Sequence, residues 1–464
     1  MTASQASKAE PRDGERIGWP AWRLAWVIVL GAFASGLDTS LVNVGLNTIG
    51  TDLHAALPVV QWTATGYLLA LAGSLPLAGW LGARVGVSRL WLAALAAFTL
   101  ASAACALAPS IAALIGLRVV QGLAGGLLIP AGQTVLGQAV VARRLGRVMA
   151  TLGVAVTAAP ALGPVIGGLL LHAGSWRWLF AINLPIGGLG LLLGWRYIPR
   201  GHARTAAATL DWPALVGISA GLPLLIYGFT EISGHPSLPR VLLPLLAGAA
   251  ALTGFVIRSR RSSHPLIDLT LLRSRTFTAA TVASGTTGML MFGSGLLFPL
   301  YFQLGRHDTT IATGLHLLGL AGATAAVLPL TGRLVDRHGG GRIATIGAAL
   351  ALTSIVPFAI LPTTTSPVAV HALLAVLGVA IAFAAVPPGI VAYKTVTPDQ
   401  LADATTTVNI VQRVGGALGG ALFALVLANT GLHAAFWTMA ATGLAALAST
   451  AWLAAASRQT PPGP

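Results

Sequence analysis

The dominant pattern in this chain is a repeated apolar run of roughly 20 residues, with short polar segments between the runs. Fourteen such runs can be placed along the 464 residues. A helix of that length crosses the ~30 Å hydrocarbon core of a bilayer. The pattern therefore predicts an all-α integral membrane protein with fourteen transmembrane helices, near residues 24–49, 58–78, 89–109, 111–138, 147–171, 177–196, 211–231, 239–257, 277–303, 311–331, 341–361, 367–389, 408–429 and 432–456.

The composition agrees with a membrane protein. Hydrophobic residues make up 55% of the chain and charged residues only 8%, whereas a soluble domain carries about 25% charged residues. Residues 1–23 are polar and lack the apolar core of a cleaved signal peptide. They are predicted to form a retained cytoplasmic tail, and residues 457–464 a second one.

The distribution of positive charge predicts the orientation in the membrane. The chain has 27 Lys and Arg residues and a net charge of +15. Of these cations, 22 fall on one side of the predicted spans, three on the other side and two within spans. The side rich in Lys and Arg is the cytoplasmic side, so both termini are expected in the cytoplasm. The charge then reflects topology and attraction to anionic lipid, and it does not indicate a nucleic-acid partner.

The chain contains an internal duplication. Residues 79–86 and 332–339 both read G-x-L-x-x-R-x-G and are predicted to lie in short cytoplasmic loops. They indicate two six-helix pseudo-repeats, over 24–200 and 263–456, with two inserted helices in 201–262. Duplicated halves that rock around a site near the bilayer midplane are a common transporter design.

One acidic and one basic residue are predicted to lie at similar depth inside the first half. Asp38 is about 21 Å from the cytoplasmic end of its predicted span, and Arg118 is about 10 Å from the outer end of its own. A charge at that depth costs at least ~2.5–3.5 kcal/mol, so it is rarely kept without a partner and a function. The pair suggests a proton relay, and the alternative is a static ion pair that fixes two helices.

Several further motifs occur together and in order. The segments are 37–43 in the first span, 117–122 in the fourth, 153–168 in the fifth, and then 176–187 and 264–268. With them the sequence resembles the major facilitator superfamily, and specifically its fourteen-span drug:proton antiporter family. The resemblance covers nearly the whole chain. It implies that Asp38 carries the proton and that Arg118 tunes it.

The resemblance also implies a set of gating residues in the repeated loop motif and in the fifth span. Prolines in that span kink the helix, and its glycines allow close contact with a neighbour. This chain has Ala83 where the family has an aspartate in the first loop, whereas the second copy keeps the acid. The candidate gating residues are Gly79, Arg84, Gly86, Arg89, Pro160, Gly163, Pro164, Gly167, Gly168, Asp336 and Arg337.

A second set of residues consists of candidate substrate contacts, chosen as polar, aromatic or Met side chains on spans expected to face a central cavity. Met289, Phe292, Phe298 and Tyr301 have packing or lipid contact as an alternative. Arg413 has snorkelling from about two turns inside the cytoplasmic end of its span as an alternative. The candidates are Asn43, Tyr67, Gln121, Met289, Phe292, Phe298, Tyr301, Gln303 and Arg413.

The sequence therefore predicts a bacterial inner-membrane exporter. It would exchange external protons for amphiphilic small molecules by alternating access, as a monomer in contact with membrane lipid. The alternative is a proton-coupled importer of a small metabolite. No cofactor or metal is expected, because the single cysteine and the scattered histidines form no ligand pattern and no phosphate-binding loop is present. Without a buried acid in the second half, a monocation, a zwitterion or a neutral compound is a more suitable substrate than a dication.

Overall fold

A computed structural model describes residues 18–199, 211–231, 238–262, 265–362 and 364–459. These residues form helices joined by short turns, and no β-strand occurs among them. The helices are α1 Trp19–Asp52, α2 Leu57–Val60, α3 Trp62–Ser74, α4 Leu77–Val85, α5 Val87–Ala106, α6 Ile111–Ala139, α7 Leu145–His172, α8 Trp178–Ala181, α9 Asn183–Tyr197, α10 Trp212–Glu231, α11 Leu238–Arg261, α12 Arg275–Leu300, α13 Thr310–His338, α14 Gly340–Ile360, α15 Pro367–Ala385, α16 Pro387–Lys394, α17 Leu401–Thr430 and α18 Leu432–Gln459.

The helices fit the fourteen predicted spans. In the described residues, twelve helical segments are long and apolar enough to cross a bilayer, and α3 with α4 forms a further span bent by 58°. The 28-residue helix α7 lies where the fifth span was predicted. Many helices extend beyond the predicted apolar runs. α1, for example, starts at Trp19, inside the segment predicted as a tail, and α18 continues to Gln459.

The two copies of the repeated motif are helical, so their prediction as loops was wrong. Residues 79–85 lie in α4 and residues 332–338 form the last turns of α13. Each helix ends at a glycine in the left-handed region, with φ +88° at Gly86 and +85° at Gly339. This conformation favours glycine because other residues have a Cβ that clashes there. The duplication thus repeats a helix end and its turn.

Packing groups the helices into two bundles and a pair. In the first bundle α1 packs against α7 and α9, while α6 packs against α3 and α5. In the second, α12 packs against α17 and α18, and α14 against α15 and α18. The inserted helices α10 and α11 pack on each other, and α10 also contacts α3 and α17. The predicted boundaries at 200/201 and 262/263 involve residues outside the described part and stay predictions.

Candidate functional site

A fully buried ion pair joins α1 and α6 in the first bundle. Asp38 and Arg118 are both 0% exposed, and Arg118 Nη1 donates to Asp38 Oδ2 at 2.5 Å. The second carboxylate oxygen, Oδ1, accepts from Gln121 Nε2 at 3.1 Å and from Asn183 Nδ2 at 2.9 Å. Asp38 and Arg118, which the sequence predicts at similar depth, are therefore in direct contact in the structure.

The Arg118 guanidinium is held by more than the carboxylate. Its Nε donates to the Thr63 carbonyl at 2.9 Å, and its Nη1 also donates to Gln121 Oε1 at 2.8 Å. The Tyr67 ring lies under the guanidinium at 4.0 Å, a cation–π contact. These partners hold the planar group in place relative to α3 and α6, so its distance from Asp38 changes when these two helices move relative to α1.

Asn183 is a member of this site that the prediction of site residues missed. It begins α9 and is buried, and its Nδ2 donates to Ser102 Oγ at 3.0 Å as well as to Asp38. Ser102 in turn donates to the Phe180 carbonyl at 3.0 Å. The signal in the sequence was an amide between apolar residues of the 176–187 motif. Buried polar side chains of this kind are kept where they have a specific partner.

The hydrogen bonds around Asp38 suit its ionised form. Arg118, Gln121 and Asn183 all donate to it, and an ionised carboxylate only accepts. A protonated carboxyl group carries an O–H that needs an acceptor, and none of these three contacts provides one. Adding a proton therefore conflicts with this set of donors, and the side chains around Asp38 must rearrange to give the O–H an acceptor, for which the unpaired Asn183 Oδ1 is available.

Glycines of α7 bring that helix into close contact with α1 beside Asp38. A Cβ added at Gly163 would overlap the side chain of Ser40, and one at Gly167 would lie 3.3 Å from Leu41 Cδ2. A Cβ at Gly168 would meet nothing within 4 Å. The side chains of Pro160 and Pro164 lie outside the described part of the structure.

Alanine substitution should have different effects at Gly163 and at Gly168. Gly163→Ala should reduce transport several-fold or prevent folding, because the methyl group forces α7 away from Ser40. Gly168→Ala has free space and should behave like the wild type. The check is a comparison of transport rate and detergent-solubilised yield for the two variants. Equal behaviour would contradict close α1–α7 packing as a requirement.

The two bundles are joined at their cytoplasmic ends through Asp336 of α13. Its carboxylate accepts from the backbone N–H groups of Gly146 and Arg147, at 3.1 and 3.3 Å, close to the start of α7. Lys394 Nζ lies 3.1 Å from the same carboxylate. A carboxylate at the start of a helix is stabilised by the unpaired N–H groups and the helix dipole. Asp336 thus connects α13 of the second bundle to the start of α7 in the first.

The first copy of the motif makes a different contact. Ala83, Arg84 and Arg89 are exposed, with Arg84 over the Trp80 ring at 5.4 Å. Gly79, however, lies so close to α17 that a Cβ would be 2.6 Å from Asp403 Oδ1. At this contact the carboxylate therefore belongs to Asp403 of α17 and not to the motif itself. Of the second copy, Arg337 is exposed.

Further polar contacts close the cytoplasmic half between α6 and the second bundle. Gln133 Oε1 accepts from Asn409 Nδ2 at 2.6 Å and from the Tyr393 hydroxyl at 3.3 Å. The Thr134 and Thr405 hydroxyls are 3.0 Å apart. Every hydrogen bond described here between the bundles lies in this half, so the structure is closed towards the cytoplasm.

Two cavities border these contacts between the bundles. One lies on their outer side, and the other lies among them. The larger, of about 1050 Å³, is bounded by α3, α10, α12 and α17 and extends to the outer ends of α12 and α17. The smaller, of about 130 Å³, lies between α6, α7, α12, α13, α15, α16 and α17. Phe292, which is 46% exposed, and Arg413 line both. α17 begins at Leu401, so Arg413 is about 18 Å from the start of its helix, further than the sequence predicted.

The other predicted substrate contacts have different surroundings. Tyr67 and Gln121 are fully buried in the ion-pair cluster. Phe298 and Tyr301 are buried in an aromatic cluster with Phe358 and Phe436. None of these four borders either cavity. The remaining candidates are partly buried or exposed and line neither cavity: Asn43, Met289 and Gln303.

Two helical bundles, joined by hydrogen bonds at one end and with a buried ion pair inside the first, define a polytopic helical membrane protein. The sequence matches the Major Facilitator Superfamily over residues 28–420, and the chain belongs to that superfamily. It is 34% identical to a multidrug resistance protein B homolog of Mycobacterium tuberculosis over 437 residues, which is 90% of this chain and 79% of the relative. It is 34% identical to a tetracenomycin C resistance and export protein of Streptomyces glaucescens over 348 residues, covering 74% and 64%.

The fold is shared with solved structures of the superfamily. A human organic anion transporter superposes with a TM-score of 0.66 at 16% identity, over 93% of this chain and 100% of that one. The family membership and the multi-pass location in the inner membrane that the sequence predicted are confirmed.

Proposed function

We propose that this transporter is a proton-coupled antiporter, which exports amphiphilic small molecules from the cytoplasm by alternating access. The observation that carries the proposal is the sealed Asp38–Arg118 pair, in which every contact to the carboxylate donates. Protonation is incompatible with this set of contacts. Proton binding therefore changes the relative stability of two helix arrangements, which is the requirement for coupling.

The arrangement of gate and cavity supports alternating access. The cytoplasmic half is closed by Asp336 and Gln133, while the large cavity extends to the outer ends of α12 and α17. Gly163 and Gly167 pack α7, whose start forms part of the gate, directly against the helix that carries Asp38. A change at Asp38 can thus reach the cytoplasmic gate through α7 alone, over the roughly 27 Å of helix between Gly163 and Leu145.

The names of two relatives support export of amphiphilic compounds. They are called a multidrug resistance protein B homolog and a tetracenomycin C resistance and export protein. The large cavity suits such compounds, because drug-sized ligands bind in mostly apolar cavities of about 300–1,000 Å³ with few polar groups.

Everted inner-membrane vesicles test the proposal. With an acidified lumen, vesicles containing the transporter should accumulate a fluorescent amphiphile, and addition of the amphiphile should release lumenal protons. Nigericin, which dissipates the pH gradient, should stop both. Accumulation that is unaffected by nigericin would contradict proton coupling. Accumulation only in right-side-out vesicles acidified outside would instead identify an importer.

A further inference from the structure

Arg413 is a partly buried cation that has no hydrogen-bond or ion-pair partner among the described residues. It lies in the middle of the 30-residue helix α17. In the described residues, its guanidinium makes no hydrogen bond, salt bridge or aromatic contact. Arg118 differs sharply, since it has a carboxylate, a carbonyl, an amide and a ring around it. A guanidinium at membrane depth is normally paired or faces a water-filled cavity.

The surroundings of Arg413 contain no carboxylate: the large cavity is mainly apolar, and the small one also has uncharged polar side chains such as Gln133 and Asn409. It lines both the 1050 Å³ cavity and the 130 Å³ cavity. Of the described residues that line these cavities, none is Asp or Glu, and His433 is the other titratable side chain in the large one besides Arg413. The wall of the large cavity between Arg413 and the outer side consists mainly of Leu, Ala, Gly and Phe side chains. The cavity therefore has one positive point at its inner end and an apolar body.

We propose that Arg413 binds the anionic group of the substrate and that the exported compounds are amphiphilic anions, such as carboxylates or phenolates with an apolar body. This inference rests on the proposed export function and specifies its substrate class. The planar guanidinium pairs with a carboxylate through two parallel hydrogen bonds. The apolar part then lies against α12 and α17, where Phe292 and Leu296 line the cavity.

This inference revises the expectation of a cationic, zwitterionic or neutral substrate. That expectation rested on the absence of a buried acid in the second half. Since Arg413 lies deep in the helix and faces the cavities, a monocation would meet an uncompensated positive charge. Repulsion of that kind is how a site rejects a ligand of the wrong charge.

Direct binding to the purified full-length protein tests the inference. The probes are dansylated undecanoic acid, its methyl ester and a quaternary ammonium of the same chain length, titrated at neutral pH by fluorescence. The wild type should bind the carboxylate at least about tenfold more tightly than the ester, and the cation most weakly. Equal affinities for acid and ester in the wild type would overturn the inference.

Substitutions test whether Arg413 causes the preference for the carboxylate over its ester. Arg413→Gln should remove the difference between acid and ester while leaving the ester affinity unchanged. Arg413→Lys should keep part of it, because an ammonium retains the charge but not the planar fork. Arg306→Gln is the matched control, since it removes a positive charge near the outer mouth from a residue that donates to the Thr365 carbonyl. Unchanged selectivity in Arg413→Gln would overturn the inference.

The binding test separates this inference from the proposed function, since it needs no proton gradient. Loss of acid selectivity in Arg413→Gln together with gradient-independent transport would retain the anion site and reject antiport. Gradient-driven transport with no acid preference would retain antiport and reject the anion site. If Arg413→Gln is not monodisperse in detergent, the wild-type comparison and Arg413→Lys decide. Wild-type acid selectivity that Arg413→Lys reduces supports the inference, and selectivity unchanged in that variant overturns it.

Discussion

Replacing Asp38 by asparagine should abolish transport driven by a pH gradient while leaving a folded protein that still binds substrate. The amide has a similar volume and its oxygen still accepts a hydrogen bond, so the packing of α1 is retained. It does not titrate, however, and its NH₂ group is placed among the donors Arg118, Gln121 and Asn183. Uptake into everted vesicles should fall to the level of vesicles without the transporter.

Asp52→Asn is the matched control on the same helix. Asp52 lies at the outer end of α1, accepts from Trp176 Nε1 at 2.7 Å and from Arg177 Nη1 at 2.8 Å, and is about half exposed. Its substitution removes a carboxylate at the surface and should leave gradient-driven uptake intact. A wild-type uptake rate in Asp38→Asn, at equal protein level, would reject Asp38 as the proton carrier.

The fold was predictable because hydrophobic length is the main constraint on a membrane-spanning helix. All fourteen apolar runs coincide with helices. The ends were not predictable in the same way, because helices continue into polar sequence beyond the membrane. α17 shows the consequence. Its first turns contain Asp403 and three consecutive threonines, Thr405, Thr406 and Thr407, which delayed the predicted start to residue 408 and placed Arg413 only about two turns from that start.

The candidate site was predictable only in part. Matching depth identified Asp38 and Arg118, since two buried charges of opposite sign have few alternatives. Depth alone does not give the direction of a side chain around its helix. Tyr67 and Gln121 therefore fall in the ion-pair cluster rather than at a cavity, and Asn183 depends on how α9 packs against α1 and α5. Contacts between the bundles, such as Gln133 with Asn409, involve residues 276 positions apart and leave no local pattern.

Arg118→Ala should be the most damaging substitution to both stability and coupling. It removes the donor to Asp38 Oδ2 and the bond to the Thr63 carbonyl. Removing one partner of a buried ion pair costs about 3–5 kcal/mol. We expect a lower melting temperature in detergent and no gradient-driven uptake. Because a buried carboxyl group without a cation is favoured in its neutral form, the pH dependence of substrate binding should move to higher pH.

Arg118→Lys should fall between the wild type and alanine. An ammonium retains the charge, but it does not present the planar fork that reaches Asp38, Gln121 and the Thr63 carbonyl together. Arg177→Ala provides the control, since it breaks the solvent-exposed pair with Asp52 and should change neither melting temperature nor pH profile appreciably. An unchanged pH profile in Arg118→Ala would show that Asp38 and Arg118 are not coupled. The ion pair would then hold α1 against α6 without transmitting protonation to the gate, and coupling would have to arise at another group.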